Sequence, residues 1–482
     1  MIRKKSYEFP YFWILAFAAF TFFLFLPAFK SYFFQDDWFS FSISQASTIQ
    51  DFLNFFIPRS DVIYYRPLGM QIPFFLVRKL FGINPLPFKV ATLLAHFLNG
   101  YIVYLLFIKL LNKRLLGLVA SFLYLTSATH QIIFYWSATF AFILAPTFYF
   151  GSFLFFAKRR NLISFRLFCL GLLTNELLIT IPIILTLWSW FEERQIRIRH
   201  LIHYWFVLGI YLVARFVVFG LPEGGNYSFS LNLKQPVITL RNFTLWVFNW
   251  PEEIQAQFTR IFSLNRLFLQ EFASSIAIFS ALTTVFIVFF ILIPLFIRVR
   301  TKRVHLNSRI ILFGISWFII TSFPVLFLVS HAFTYYVPIP LFGVLLVGFG
   351  LFDAYSGLKY GLRYKVILLC VFSALWYYSA LENMRLNQLI HWAPQRADKS
   401  RFLVSRFKEK YTHVSKGAII IVTVGGYKEY RWALGDQNAF QALLNDQTIL
   451  TYFGQTSYYF ADRGIIDKEQ QTQIEKTLYI IP

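Results

Sequence analysis

Charge is scarce in this chain. Only 14% of its 482 residues are Asp, Glu, Lys or Arg, where a soluble domain carries roughly a quarter. Cysteine is nearly missing, with 2 residues, which excludes a disulfide framework. Glycine, at 22 residues, is too sparse for a collagen-like chain. No heptad persists, so a long coiled coil is excluded as well. The sequence has no internal repeat, no low-complexity tract, no P-loop and no dinucleotide fingerprint.

What is present is apolar. Hydrophobic residues make up 57% and aromatics 21% of the chain, and the mean hydropathy is +0.56. So many aromatics exclude disorder, and one aqueous core does not hide so much apolar surface. These values predict an α-helical polytopic membrane protein. The net charge of +22 does not call for a nucleic-acid partner, because Lys and Arg collect in cytoplasmic loops beside anionic membrane lipids. Cys169 and Cys370 both fall in apolar runs and are expected to be small buried side chains.

A spanning helix needs about 20 apolar residues. The first such run is 10–29, preceded by Arg3, Lys4 and Lys5, so the N-terminus is expected in the cytoplasm. The run is too long for a signal-peptide core and no small-residue cleavage site follows, so it is read as a retained helix. Further spans are expected at 86–108, 115–129, 137–157, 200–219, 272–297, 310–329, 335–352 and 366–381. Residues 161–191 have basic flanks on both sides, which calls for a pair of short or re-entrant helices turning near Thr174, Asn175 and Glu176. The total is about eleven helices, with long outer loops at 30–85 and 220–270. The basic loop 298–309 reads as an orientation signal. The expected location is the plasma (inner) membrane.

Composition changes near residue 382. Apolar runs shorten, and the stretch 416–424 reads as a buried strand ending in the Gly425–Gly426 turn. Residues 439–444 look helical and 448–453 look like a second strand. The expected division is a membrane domain at 1–381 and a small α/β extracytoplasmic domain at 382–482, within the usual domain size.

Ionisable residues near membrane depth are costly and are candidates for function by default. Asp36 and Asp37 follow the first helix in the stretch Phe33-Phe34-Gln35-Asp36-Asp37-Trp38-Phe39. Aromatic neighbours desolvate a carboxylate and raise its pKa, which suits a general base. One of the pair is then the base, with the other orienting it or helping to bind a divalent cation; alternatively the pair caps a juxtamembrane helix. Arg66, within Tyr64-Tyr65-Arg66-Pro67-Leu68, is placed either to grip a phosphate or to snorkel in an aromatic belt. His130, Glu176 and His331, the last close to Tyr335 and Tyr336, fall on the same expected side as Asp36. Each histidine is either part of a site or an interfacial cap. Arg260 and Arg266 in the second outer loop either add to an anion site or meet lipid headgroups.

These residues also carry a resemblance. Asp36-Asp37-Trp38, Tyr65-Arg66-Pro67-Leu68, Leu80-Phe81-Gly82-Ile83-Asn84-Pro85 and Leu93-Leu94-Ala95-His96 follow one another. Then come His130, Leu172-Leu173-Thr174-Asn175-Glu176 with Pro182, and Tyr335-Tyr336-Val337-Pro338. In this pattern the chain resembles the GT-C superfamily of integral-membrane glycosyltransferases, above all the protein O-mannosyltransferases that carry tetratricopeptide repeats and their bacterial relatives. The likeness covers residues 30–345.

The resemblance implies that a sugar is moved from a polyprenyl-phosphate donor to an acceptor at the outer face, with inversion, in cell-envelope glycosylation. Asp36 would be the base and Asp37 its companion. Tyr65, Arg66, His130, Glu176, Arg260, Arg266, His331, Tyr335 and Tyr336 would bind donor phosphate or substrate. The acceptor would be a glycan, a lipid or a protein; no tetratricopeptide repeat is present to favour protein. This chain has Asn175 and Thr334 where such enzymes usually carry Lys and often carry Arg. The competing expectations are a flippase or transporter of lipid-linked sugars, which would need repeat-related broken helices, and a non-catalytic membrane scaffold.

Overall fold

The computed structural model describes residues 11–59, 62–194, 196, 198–220, 228–301, 307–329, 331–357, 361–454, 459–461, 464–466 and 478–481. Arg3, Lys4, Lys5 and residues 302–306 of the basic loop lie outside the described residues, as do 221–227 and parts of the C-terminal segment.

The chain is a multi-pass helical membrane protein. Among the described residues seven helices are long and apolar enough to cross a membrane, or eight when the bent pair Arg114–Leu125 and Ala128–Tyr135 counts as one span. The other three expected spans are helical but shorter: Leu15–Phe29 and Asn161–Leu172, and Ile181–Glu193. The expected pair within 161–191 is therefore present, joined by a tight turn at Glu176–Thr180.

Three boundaries differ from the sequence reading for local reasons. The third span breaks after Leu125 and bends by 41°, because Ser127 leaves the helical conformation and caps the next turn by accepting from the Thr129 N–H. The helix expected from 335 begins at Pro338, since proline suits the first helical position. The last long helix, Gly361–Ile390, runs well past 381. The cysteines also differ: Cys169 is half-buried and Cys370 is exposed. Residues facing lipid need no protein cover, so an apolar run does not imply burial inside the protein.

Two sheets accompany the helices. A small hairpin pairs β1 (Phe258–Arg260) with β2 (Ser263–Leu264). After the helix Trp392–Lys410 come β3 (Ile419–Val422), β4 (Leu450–Gly454), β5 (Tyr459–Ala461), β6 (Gly464–Ile466) and β7 (Leu478–Ile481). Their order is β6-β5-β4-β3-β7. β3 lies parallel to both β4 and β7, with Ile420 opposite Thr451 and Tyr479. The strand and helix expected at 448–453 and 439–444 are thus found at Leu450–Gly454 and Asn438–Leu444. This α/β unit packs on the short acidic helix Asp36–Ser42.

Candidate active site

The acidic helix starts abruptly. Gln35 has φ 51° and ψ −120°, a positive-φ conformation that costs a non-glycine residue on the order of 1–3 kcal/mol. Three long-range bonds hold the segment there. The Gln35 N–H donates to the Ala433 carbonyl at 2.9 Å. Arg396 Nη1 donates to Gln35 Oε1 at 2.7 Å. Trp38 Nε1 donates to Ser400 Oγ at 3.1 Å. The C-terminal unit therefore fixes where the two carboxylates point.

They point to different places. Asp37 is fully buried. Its two oxygens accept the backbone N–H groups of Phe34 at 3.0 Å and Ala138 at 2.5 Å. Lys89, also buried, donates to the carbonyls of Phe134 and Tyr135 at 2.7 and 2.8 Å. Burial raises the Asp37 pKa, against the lowering effects of those N–H groups and of the Lys89 charge. Asp37 thus ties the acidic helix to the first turn of the Ser137–Ala157 span.

Asp36, one step back and about 100° around the helix, lines a cavity of about 640 Å³ with Gln35, Phe39, Arg431, Trp432 and Asp436. Burial raises its pKa to about 6, against the nearby positive charges of Arg396 and Arg66. A carboxyl of that pKa is largely ionised at neutral pH, yet basic enough to take a proton.

A second cluster forms around Arg66. Pro67 opens a wide helical turn, Pro67–Gln71, and the Leu68 N–H donates to the Leu173 carbonyl at 3.0 Å. Gly69 permits this approach, because a Cβ there would lie 2.4 Å from the Thr174 carbonyl oxygen. The result is a two-pronged ion pair between Arg66 and Glu176, with Nε to Oε2 at 2.8 Å. The guanidinium also lies 4.7 Å from the ring centroids of both Tyr64 and Phe142. Tyr335 and Tyr336 pack on Phe142, and the Tyr335 hydroxyl lies 3.4 Å from His331 Nε2. Burial lowers the His331 pKa to about 4, helped by the Arg66 charge. Arg66, Glu176, His331, Tyr335 and Tyr336 are therefore one group, with Asp36 in electrostatic reach of Arg66.

The other expected residues are elsewhere. Tyr65 donates its hydroxyl to the Phe56 carbonyl at 2.9 Å. His130 is fully buried, its ring against His96 and Tyr124; it stands at the N-cap position of the helix Gln131–Tyr135 without a side-chain capping bond. Arg260 and Arg266 lie on and just after the hairpin, and no described contact joins them to the Arg66 group. Asn175 accepts the Leu177 N–H at 3.0 Å and caps the turn carrying Glu176. Thr334 donates through its backbone N–H and its hydroxyl to the buried Glu252, at 2.7 and 2.8 Å.

The divalent-cation expectation does not fit this donor set. Both Asp37 oxygens already accept backbone N–H groups. No cluster of three or more His, Cys, Asp or Glu side chains suited to a metal occurs among the described residues.

Lys89, Gln35, Arg396, Trp432 and Asp436 did not stand out in the sequence. Lys89 left a signal, a lone cation in the first turn of the span Leu86–Leu111. Gln35 adjoins Asp36 in the chain, whereas Arg396, Trp432 and Asp436 lie in ordinary polar stretches and become neighbours of Asp36 only through tertiary packing.

No family model matches the chain, and no curated protein matches it. Among solved structures the chain is similar to ArnT from Cupriavidus metallidurans bound to undecaprenyl phosphate. The similarity covers 92% of this chain and 90% of that one, at 12% sequence identity and a TM-score of 0.46.

Proposed function

We propose that this protein is a GT-C-type membrane glycosyltransferase. It moves a sugar from a polyprenyl-phosphate carrier to an acceptor hydroxyl at the outer face of the membrane, with inversion. The observation that carries the reading is Asp36: a carboxyl with its pKa raised to about 6, lining a cavity and within the field of two arginines. In the transfer, Asp36 takes the proton of the acceptor hydroxyl as that oxygen bonds to the anomeric carbon. The bond from that carbon to the carrier phosphate breaks, and its electron pair leaves with the phosphate. Attack from the side opposite the leaving group gives inversion.

Arg66 lies on the donor side and meets the phosphate charge that grows as the bond breaks. Glu176 and the flanking rings hold its guanidinium in one orientation, so little reorganisation is needed. Asp37 acts through position, by fixing the helix that carries the base. Residues 382–482 serve as an extracytoplasmic domain that closes over Asp36. The ordered motifs from Asp36 to Pro338 support the lipid-linked donor.

The test is a panel of polyprenyl-phosphate sugars offered to the purified protein in lipid, with membrane extract as acceptor, with and without added divalent cation. Consumption of one donor, with a product of opposite anomeric configuration by NMR, is expected. Hydrolysis or transfer with retention, or movement of donor across the bilayer without bond cleavage, would overturn the reading.

A further inference from the structure

The cavity beside Asp36 has two walls from different parts of the chain. The acidic helix and its cap supply Gln35, Asp36 and Phe39, and the C-terminal unit supplies Lys428, Arg431, Trp432, Asp436 and Asn438. Its volume of about 640 Å³ falls in the range of about 300–1,000 Å³ seen for small-molecule sites.

The chemistry of the lining narrows the ligand. Trp432 lies on the eight-residue helix Tyr427–Leu434 and is 51% exposed, although a large indole normally seeks cover. Arg396 lies over its ring at 5.4 Å and over Trp392 at 4.9 Å, which holds the indole in place. Arg431 forms an ion pair with Asp436, so those two charges cancel. Among the described lining residues Lys428 and Asp36 carry one charge of each sign, and Arg396 beside them is engaged by Gln35 and the two indoles, so the lining is no dense cationic cluster of the kind that grips a polyanion. Gln35, Asp436 and Asn438 each use one polar atom within the protein, on Arg396, Arg431 and the Gly435 carbonyl, and each planar group has a second polar atom to turn to a ligand. Neighbouring hydroxyls of a sugar ring satisfy such atoms, and the ring's C–H face covers an indole. A lipid tail fits poorly, because Phe39 and Trp432 are the large apolar side chains in the lining.

We propose that this cavity is the acceptor site and that it takes a neutral saccharide. Trp432 is the stacking platform, and Asp436 with Asn438 orients the ring so that one hydroxyl reaches Asp36. This rests on the transferase reading for the role of the bound sugar, but not for its binding. The C-terminal unit thereby forms half of the acceptor site.

The experiment uses the full chain in lipid nanodiscs and saturation-transfer NMR with a panel of neutral hexose and N-acetylhexosamine oligosaccharides. Phosphorylated and uronic-acid counterparts and a fatty-acyl glycerol serve as comparisons. At least one neutral saccharide is expected to bind. Trp432→Ala and Asp436→Asn should each weaken it about tenfold, the loss expected when one aromatic or charge-assisted contact goes. Trp432→Phe should recover most of the affinity, and Asp36→Asn should still bind. Thermal unfolding of each variant excludes a folding defect. Binding of no neutral saccharide, preference for the anionic or acyl probes, or equal affinity in the wild type and Trp432→Ala would overturn the proposal. A parallel assay of donor consumption separates the two readings. Trp432-dependent binding without transfer would sink the transferase alone, and transfer undiminished in Trp432→Ala would sink the acceptor site alone.

Discussion

A Cβ atom on Gly435 would lie 2.6 Å from the carbonyl oxygen of Gln35. The C-terminal unit thus meets the chain one residue before the proposed base by backbone contact. Two residues back, Ala433 accepts the Gln35 N–H, so both polar groups of the Gln35 backbone face the same short turn.

Gly435→Ala should damage this contact in two ways. At φ +57° a side chain costs about 1–2 kcal/mol, and the methyl group has no room against Gln35. The expected result is a lower melting temperature, easier proteolysis after residue 410 and weaker transfer. Gly425→Ala, with open space around it, is the control and should leave all three unchanged.

The two carboxylates should separate cleanly on mutation. Asp37→Asn puts an amide NH₂ against one of the two backbone N–H groups that Asp37 accepts, so a loss of about 2–4 kcal/mol of stability is expected. Asp36→Asn replaces a carboxyl whose charged form is disfavoured by burial, so the fold should keep its stability or gain slightly. Thermal unfolding of the two variants side by side reads the difference.

The pH dependence of activity and that of stability should run in opposite directions. With the Asp36 pKa raised to about 6, the base is protonated below that value, so kcat/KM should climb with pH to a plateau, with its midpoint near about 6. For stability, the folded pKa lies above the ordinary aspartate value of 3.8. The contribution of this carboxyl is therefore fully present below about pH 4 and is lost as pH rises through about 6. Comparing wild type with Asp36→Asn in both assays isolates this residue from other titrating groups.

Removing Glu176 should cost more than removing the pair. Glu176→Gln takes the paired carboxylate away from the Arg66 guanidinium, which is only 6% exposed. About 3 kcal/mol of destabilisation is expected, the low end for a broken buried pair, because Glu176 itself keeps 34% of its side chain exposed. Arg66→Met combined with Glu176→Leu should recover most of that stability while donor affinity stays lost. Chemical denaturation and donor titration measure the two effects separately.

Much of the membrane architecture was legible in the sequence, because apolar length and flanking charge report directly on spanning helices. The pair within 161–191 could be inferred from the sign of its flanks alone. Part of the candidate site's clustering was legible too. Asp36, Arg66, Glu176, His331, Tyr335 and Tyr336 are polar or aromatic where the pattern called for apolar residues or loops, and the fold brings them into electrostatic or direct contact. What was not legible depends on direction and distance. Adjacent Asp36 and Asp37 read alike, and only the partners Phe34 and Ala138 show that one faces inward. Arg260 and Arg266 looked equivalent to Arg66 by charge and expected side, but they lie on and just after the hairpin, and no described contact joins them to it. Trp432 and Asp436 are distant from Asp36 in the chain, in an unremarkable polar stretch, and no periodicity encodes that approach.

The central claim is that Asp36 takes the acceptor's proton. Its most direct test is the single-turnover rate of sugar transfer from a polyprenyl-phosphate donor at saturating acceptor, in wild type and Asp36→Asn. Donor affinity and unfolding temperature are measured on the same samples. A rate lowered by about 10²–10⁴-fold, with donor affinity and stability retained, is the predicted result. Transfer at a comparable rate in the variant would contradict the account.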